Sequence, residues 1–205
     1  MAITLKNEDD IAQMRIAGKL ASEVLDYITP YVKAGVTTGE LDRLCHEYML
    51  NVQGTIPAPL NYQPPGYPPY PKATCISVND VICHGIPGEK TLKNGDALNI
   101  DITVIKNGYF GDTSRMFIVG EGSILAKRLV QTTFECMWLG IEQVRPGAHL
   151  GDIGHAIQRH AEAQDPREVE AEVRRRRLAA VRAAALARAR DLFVRDHRAV
   201  AVARA

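Results

Sequence analysis

Asp101 and Asp112 are the two residues whose types and spacing most directly suggest chemistry. They lie in NIDITVIKNGYFGDTSRMFIV, residues 99–119, where two β-branched and aromatic-rich runs flank Lys106-Asn107-Gly108-Tyr109. Asn-Gly favours a two-residue type I′ turn, so the stretch predicts one β-hairpin. Cross-strand partners then sum to 215, which pairs Asp101 with Ser114 and Thr103 with Asp112. Side chains alternate faces, so the two acids fall on one face as diagonal neighbours. Diagonal positions are about 7–8 Å apart at the backbone, within reach of carboxylates that share metal ions about 3.5–4 Å apart. Two acids on an inner face are costly unless a cation neutralises them. The plainer alternative is a pair of solvated acids on an edge hairpin. Ile100, Ile102, Val104, Phe117 and Val119 predict a well-buried sheet instead. His84, in Cys83-His84-Gly85-Ile86-Pro87 after an expected strand over 73–81, is a second candidate, because the turn could aim its imidazole at the carboxylate face.

The elements that must position these groups can be read in order. Asn7 followed by Glu8, Asp9 and Asp10 predicts a helix start, with acids complementing the macrodipole. Ile11, Met14, Ala17, Ala21, Val24, Leu25 and Ile28 continue at helical spacing to Pro30. Thr37 and Glu40 predict a capping box, with Val36 and Leu41 as its staple, for a second helix running to about residue 50. A loop from 56 to 72 holds six prolines between Pro57 and Pro69, and Pro71 follows. Proline stiffens such a loop without making it regular, which suits a pocket wall carrying Tyr62, Tyr67 and Tyr70. A polyproline ligand for a partner is the other use of such a stretch. After the hairpin, Ser123 caps a predicted helix to about Ile141, with Leu125, Leu129, Val130, Phe134 and Met137 or Trp138 on its inner side. VKAGVTTGELD at 32–42 matches VRPGAHLGDIG at 144–154 in six of eleven positions when similar residues are counted together. Long helix, link and shorter helix recur in the same order, so an internal duplication is expected.

The chain has 205 residues, enough for a proper core, with 46% apolar residues and a net charge of +1. That balance conceals an asymmetry: residues 1–164 carry 14 basic and 18 acidic groups, and 165–205 carry 11 and 6. No signal-peptide pattern opens the chain and no apolar run reaches membrane-spanning length, so a cytoplasmic protein with no membrane partner is expected. Cys45, Cys75, Cys83 and Cys136 show no CxxC pairing and read as reduced thiols. From Asp165 onward 23 of 41 residues are Arg or Ala, with no strand-like alternation. This composition favours helix and includes four consecutive arginines at 174–177, a cationic run of the kind that binds phosphate backbones.

Residues 1–164 resemble the N-terminal part of the bacterial type I methionine aminopeptidases. YPKATCISVNDVICHGIPG (70–88), LKNGDALNIDITVIKNGYFGDTSRMF (92–117) and VRPGAHLGDIGHAIQ (144–158) carry the resemblance. It implies a mixed α/β (α+β) chain: an incomplete pita-bread domain over 1–164, of the creatinase/aminopeptidase type, plus a helical or disordered tail over 165–205. It also implies a cytoplasmic hydrolase that removes the initiator methionine from the N-terminal peptide of nascent proteins, with the ribosome as its place of work, and is monomeric when complete. By the same resemblance Asp101 and Asp112 are metal-bridging carboxylates for two divalent ions (Co, Mn, Fe or Zn). His84 contacts the substrate and assists proton transfer, and Tyr70, Cys75 and Tyr62 lie near the methionine side-chain pocket. Two ions in such a site lower the pKa of a bridging water and polarise the peptide carbonyl.

The family pattern also requires a histidine in a G-H-G-I-G segment, a second histidine and two glutamates from the C-terminal half. No such motifs follow residue 164. The abrupt change of composition suggests that the tail is an out-of-frame translation of a GC-rich gene or a gene-model error, and without those ligands this polypeptide is expected to have negligible peptidase activity. A non-catalytic remnant whose basic tail binds RNA or the ribosome is the alternative. A third reading is another pita-bread enzyme, a proline-specific aminopeptidase or creatinase-like hydrolase; such relatives usually carry a large extra N-terminal domain, whereas this sequence starts straight into the fold, so that reading is not expected.

Overall fold

A computed structural model describes residues 5–164. They fall into two compact units, 5–122 and 123–164. The expectations placed on 165–205, including the helical tail and its RNA-binding arginines, lie outside the described residues.

The first unit begins with α1, Glu8–Ile28. Asn7 caps it through a complete capping box: its side chain accepts from Asp10 N at 2.8 Å, and Asp10 accepts from Asn7 N at 3.1 Å. A single 3₁₀ turn, Thr29–Tyr31, follows, then α2, Thr38–Glu47. The box expected at α2 is only half made. Thr37 accepts from Glu40 N at 3.1 Å, but the Glu40 carboxylate is taken by the Arg43 guanidinium at 2.7 and 2.8 Å. The α-helix also ends earlier than expected, passing into a π-helical turn over Tyr48–Gln53 that Gly54 closes in the left-handed region.

The strands are β1 (Ile56–Pro57), β2 (Cys75–Val78), β3 (Ala97–Lys106) and β4 (Tyr109–Ile118). The strand expected over 73–81 is confined to four residues, because Asn79 turns into the left-handed region (φ 54°) and ends it. β4 pairs with β3 along its whole length. β1 and β2 share the other edge of β3, at Val104–Ile105 and Leu98–Asp101. The hairpin register is the one read from the sequence: Asp101 opposes Ser114 and Thr103 opposes Asp112. Both turn residues are left-handed (Asn107 φ 53°, Gly108 φ 82°), as a type I′ turn requires.

One face of this sheet makes the core. Ile76, Val78, Leu98, Ile100, Ile102 and Val104 pack with Val24, Leu25 and Ile28 of α1 and with Leu41 and Cys45 of α2. The approach of α1 is close enough that a Cβ at Gly111 would run into the Ala17 carbonyl. Polar ties hold the helix along β4. Tyr109 Oη donates to Asp10 at 2.7 Å, Asn107 Nδ2 to Gln13 at 3.1 Å, and Arg115 pairs with Asp26 at 2.8 Å. The well-buried sheet expected from Ile100, Ile102 and Val104 is therefore found on its α1 side, while the opposite face carries the acids and is only partly covered.

The second unit is a helix pair, α3 (Ile124–Glu142, capped by Ser123) and α4 (Leu150–Gln164). The inner side predicted for α3 is wrong. Cys136 and Gly140 are its buried residues, whereas of the residues expected inside Val130 is half-buried and Leu125, Leu129, Phe134, Met137 and Trp138 are exposed. The apolar stripe is present, but the side turned to α4 is the small-residue side, where Gly140 meets Ile153 and Ile157.

The expected duplication is visible in the backbone. Val36 N to Lys33 O (3.3 Å) recurs as Ala148 N to Arg145 O (3.1 Å), and Val32 N to Thr29 O (3.3 Å) as Val144 N to Ile141 O (3.0 Å). Gly35 and Gly147 occupy the same left-handed position (φ 91° and 83°). Each copy keeps a different half of the capping box: Thr37 accepts from Glu40 N, and Asp152 accepts from His149 N at 2.8 Å.

Candidate functional site

The site is built outward from β3. Even-numbered residues of β3 face the core, so Asn99, Asp101 and Thr103 share the opposite face with Asp112 and Ser114 of β4 and Cys75 and Ser77 of β2. Asp101 sits at the centre of that face, 9% exposed, with Cys75 directly across one ladder and Ser114 across the other. Asp112 is diagonal to it and exposed.

Tyr70 closes the β2 side. Its hydroxyl lies 3.0 Å from both the Thr74 and Gly85 carbonyl oxygens, to which it donates. Burial, the neighbouring Cys75 thiol and the negative charges of Asp42 and Asp101 push this hydroxyl well above the ordinary tyrosine range. Tyr70 therefore stays neutral as a donor. The Pro-rich excursion is pinned at its two ends by Asn61 N to Tyr70 O (2.8 Å) and Tyr70 N to Tyr62 O (2.9 Å). Tyr62 and Tyr67 remain exposed.

His84 rides on a turn fastened to the edge of β2. Ile76 N donates to Gly85 O at 2.9 Å, and Gly85 N donates to Ser77 Oγ at 3.1 Å. Any side chain at Gly85 would collide with the Ile76 carbonyl. His84 itself has φ 54°, a left-handed conformation that costs a residue with a Cβ about 1–2 kcal/mol. Its imidazole is exposed. Asp101, Asp112, Cys75 and Tyr70 are thus gathered at one face, while His84 and Tyr62 stand on the loops beside it.

Asp42 is the residue that reading for chemistry missed. It is buried on α2, and its Oδ1 accepts from Ala73 N (3.1 Å), Thr74 N (2.9 Å) and Thr74 Oγ1 (2.8 Å). This clamps the segment that presents Tyr70 and Cys75. The available signal was an acid three positions before Cys45, on the apolar side of the helix. The four cysteines are free thiols. Burial and the Asp42 charge push the Cys45 thiol up to about 12, which makes it inert. Cys83 is exposed.

Two carboxylates on one face suit a divalent cation in donor type. They do not suffice in number: among the described residues no group of three or more His, Cys, Asp or Glu side chains is placed to hold a metal ion. No helix among them is long and apolar enough to cross a membrane.

The chain belongs to metallopeptidase family M24, whose pattern matches residues 12–184. Membership implies the use of a divalent metal. Among individual relatives, it is 57% identical over 166 residues to a methionine aminopeptidase of Haemophilus influenzae, covering 80% of this chain and 60% of that protein. The crystal structure of methionine aminopeptidase from Rickettsia prowazekii superposes with a TM-score of 0.75 at 54% identity, over 79% of this chain and 63% of that one. An Xaa-Pro dipeptidase from Bacillus anthracis shares the fold at 18% identity (TM-score 0.67). The fold is the pita-bread type, a mixed α+β arrangement. The chain spans about 60% of the length of the curated relatives it matches.

Proposed function

We propose that this chain is the first part of a metal-dependent aminopeptidase that removes N-terminal methionine from nascent proteins in the cytoplasm, with a site of two divalent ions (Co, Mn, Fe or Zn). The observation that carries the reading is one sheet face on which Asp101 and Asp112 are diagonal neighbours, with Cys75 and Tyr70 alongside. Asp101 and Asp112 would hold the ions, which when bound supply Lewis-acid activation of water and the peptide carbonyl. Tyr70, Cys75 and Tyr62 wall the methionine pocket, and a soft thiol is a good neighbour for a thioether. His84 contacts the substrate and moves protons near the scissile peptide. Its left-handed backbone, where a plain turn would take Gly or Asn, supports a role beyond turn making.

In this reading residues 1–164 form one incomplete domain, and 165–205 are a separate tail, a frameshift or gene-model product. Two acids alone do not hold two ions tightly, so the 205-residue polypeptide is expected to release negligible methionine from a Met-Ala-Ser peptide with Mn or Co added. The site assignments are tested in a chimera joining residues 1–164 to the remaining C-terminal part of the Haemophilus relative. The chimera should be active. Asp101→Ala or Asp112→Ala should each cost at least about a hundredfold, as loss of a metal ligand does. His84→Ala should cost about 10²–10⁴-fold in kcat. An active chimera indifferent to both aspartate changes would refute the assignment.

A further inference from the structure

Of the residues assigned to the site, His84 is the one with a strained backbone, at φ 54°. Such a conformation persists only where its surroundings over-determine it. The residues before it do little of this: 80–84 are all exposed, with Val81 N donating to Val78 O at 3.1 Å. The constraint comes from the residue after it. Gly85 N donates to Ser77 Oγ at 3.1 Å. Gly85 O accepts from Ile76 N at 2.9 Å and from Tyr70 Oη at 3.0 Å. Further on, Pro87 is buried, and Gly88 is tied to the start of α2 through Thr38 Oγ1 (3.0 Å) and Gly39 N (2.8 Å).

Ser77 has no part in the assignments above. It is buried two residues along β2 from Cys75, opposite Asn99, on the face that carries Asp101. Its hydroxyl therefore ties the histidine turn to the acid-bearing face itself. Tyr70 Oη ties the same turn from the other flank, lying between Thr74 O and Gly85 O. Gly85 is pressed so closely on the Ile76 carbonyl that no side chain fits, so the reversal of the chain falls on residue 84. One hydrogen bond is of the same order as the strain it opposes, and loss of either hydroxyl is enough to let His84 relax.

We propose that Ser77 and the Tyr70 hydroxyl are positioning residues for His84: they grip the Gly85 peptide from its two ends and so hold the imidazole in its left-handed setting beside the acid-bearing face. The proposal rests on reading His84 as the group that meets the substrate. It gives Tyr70 two tasks, with the ring walling the methionine pocket and the hydroxyl setting the histidine.

In the full 205-residue chain, hydrogen exchange follows the Gly85 amide, and the His84 HN–Hα cross-peak, strong at positive φ, follows its backbone. Ser77→Ala should speed Gly85 exchange at least about tenfold and weaken the cross-peak. Tyr70→Phe, which keeps the ring, should weaken the cross-peak as well. In the chimera with the Haemophilus segment, Ser77→Ala should lower kcat about ten- to a hundredfold and leave KM within about twofold, since the pocket walls stay in place. In a His84→Ala chimera the same change should cost less than about twofold, because its effect runs through the imidazole; a merely structural role would cost as much in either background. Unchanged exchange and cross-peak in both variants, an unchanged kcat, or a kcat loss from Ser77→Ala that is equally large in the His84→Ala background each overturns the proposal. A His84→Ala chimera as active as its parent would instead refute the role given to His84, and the exchange and cross-peak still decide whether the two hydroxyls set its backbone.

Discussion

Replacing Asp42 by Ala tests whether the face carrying Cys75 and Tyr70 is held from beneath. The change removes three hydrogen bonds, from Ala73 N, Thr74 N and Thr74 Oγ1, at a position 5% exposed. Hydrogen bonds to a charged group contribute about 1.5–3 kcal/mol each, and a buried donor left unsatisfied costs about 1–3 kcal/mol. These terms overlap, and Thr74 Oγ1 can rotate to another acceptor, so the expected loss is about 3–5 kcal/mol. Asp42→Asn keeps a carbonyl oxygen for the same donors and should lose only about 1–2 kcal/mol. Urea unfolding followed by far-ultraviolet circular dichroism measures both. Because Thr74 O accepts from Tyr70 Oη, the alanine variant should also loosen the Tyr70 corner, seen as faster exchange of the Tyr70 amide. A loss below 1 kcal/mol for the alanine variant, or equal losses for both, would show that the clamp is not what orders this segment.

Gly111→Ala should destabilise the first unit by about 2–4 kcal/mol, since its Cβ meets the Ala17 carbonyl; Gly151→Ala, where nothing lies within 4 Å, is the neutral control in the same melts. In the second unit His160 and Glu135 pair at 2.7 Å. Hydrogen bonds from Gln131 and then His160 hold the Glu135 carboxyl below its ordinary 4.5. A depressed acid contributes stability above its unfolded pKa and loses it as pH falls through the folded value, so this tie should persist at pH 5 and fade only below about 4.5. A carboxyl NMR titration giving Glu135 a midpoint at or above 4.5 would contradict this.

Local chemistry was legible wherever neighbours in sequence are neighbours in space. Asn107-Gly108 set the turn, the turn set the register, and the period of two then put Asp101 and Asp112 on one side. Asn7, Thr37 and Ser123 were readable as caps for the same reason. The repeat was legible too, because its links depend on short-range hydrogen bonds around Gly35 and Gly147. The α3 stripe marks where such reading stops. Helical periodicity identifies an apolar side, but burial depends on whether another layer arrives, and here Cys136 and Gly140 pack on α4 while Met137 and Trp138 stay open. Asp42 shows the converse, a polar residue on an apolar side that makes sense only once Ala73 and Thr74, some 30 residues away, are brought against it.

The amino-acid order by itself determined the hairpin, its register and the shared face of its two acids, because turn geometry and side-chain alternation are local. Tertiary structure decided which sheet face is core, that Asp42 clamps the Cys75 segment, and that the Leu129, Met137 and Trp138 side of α3 is exposed while Cys136 is buried. Those outcomes depend on contacts between distant segments, which no local pattern specifies.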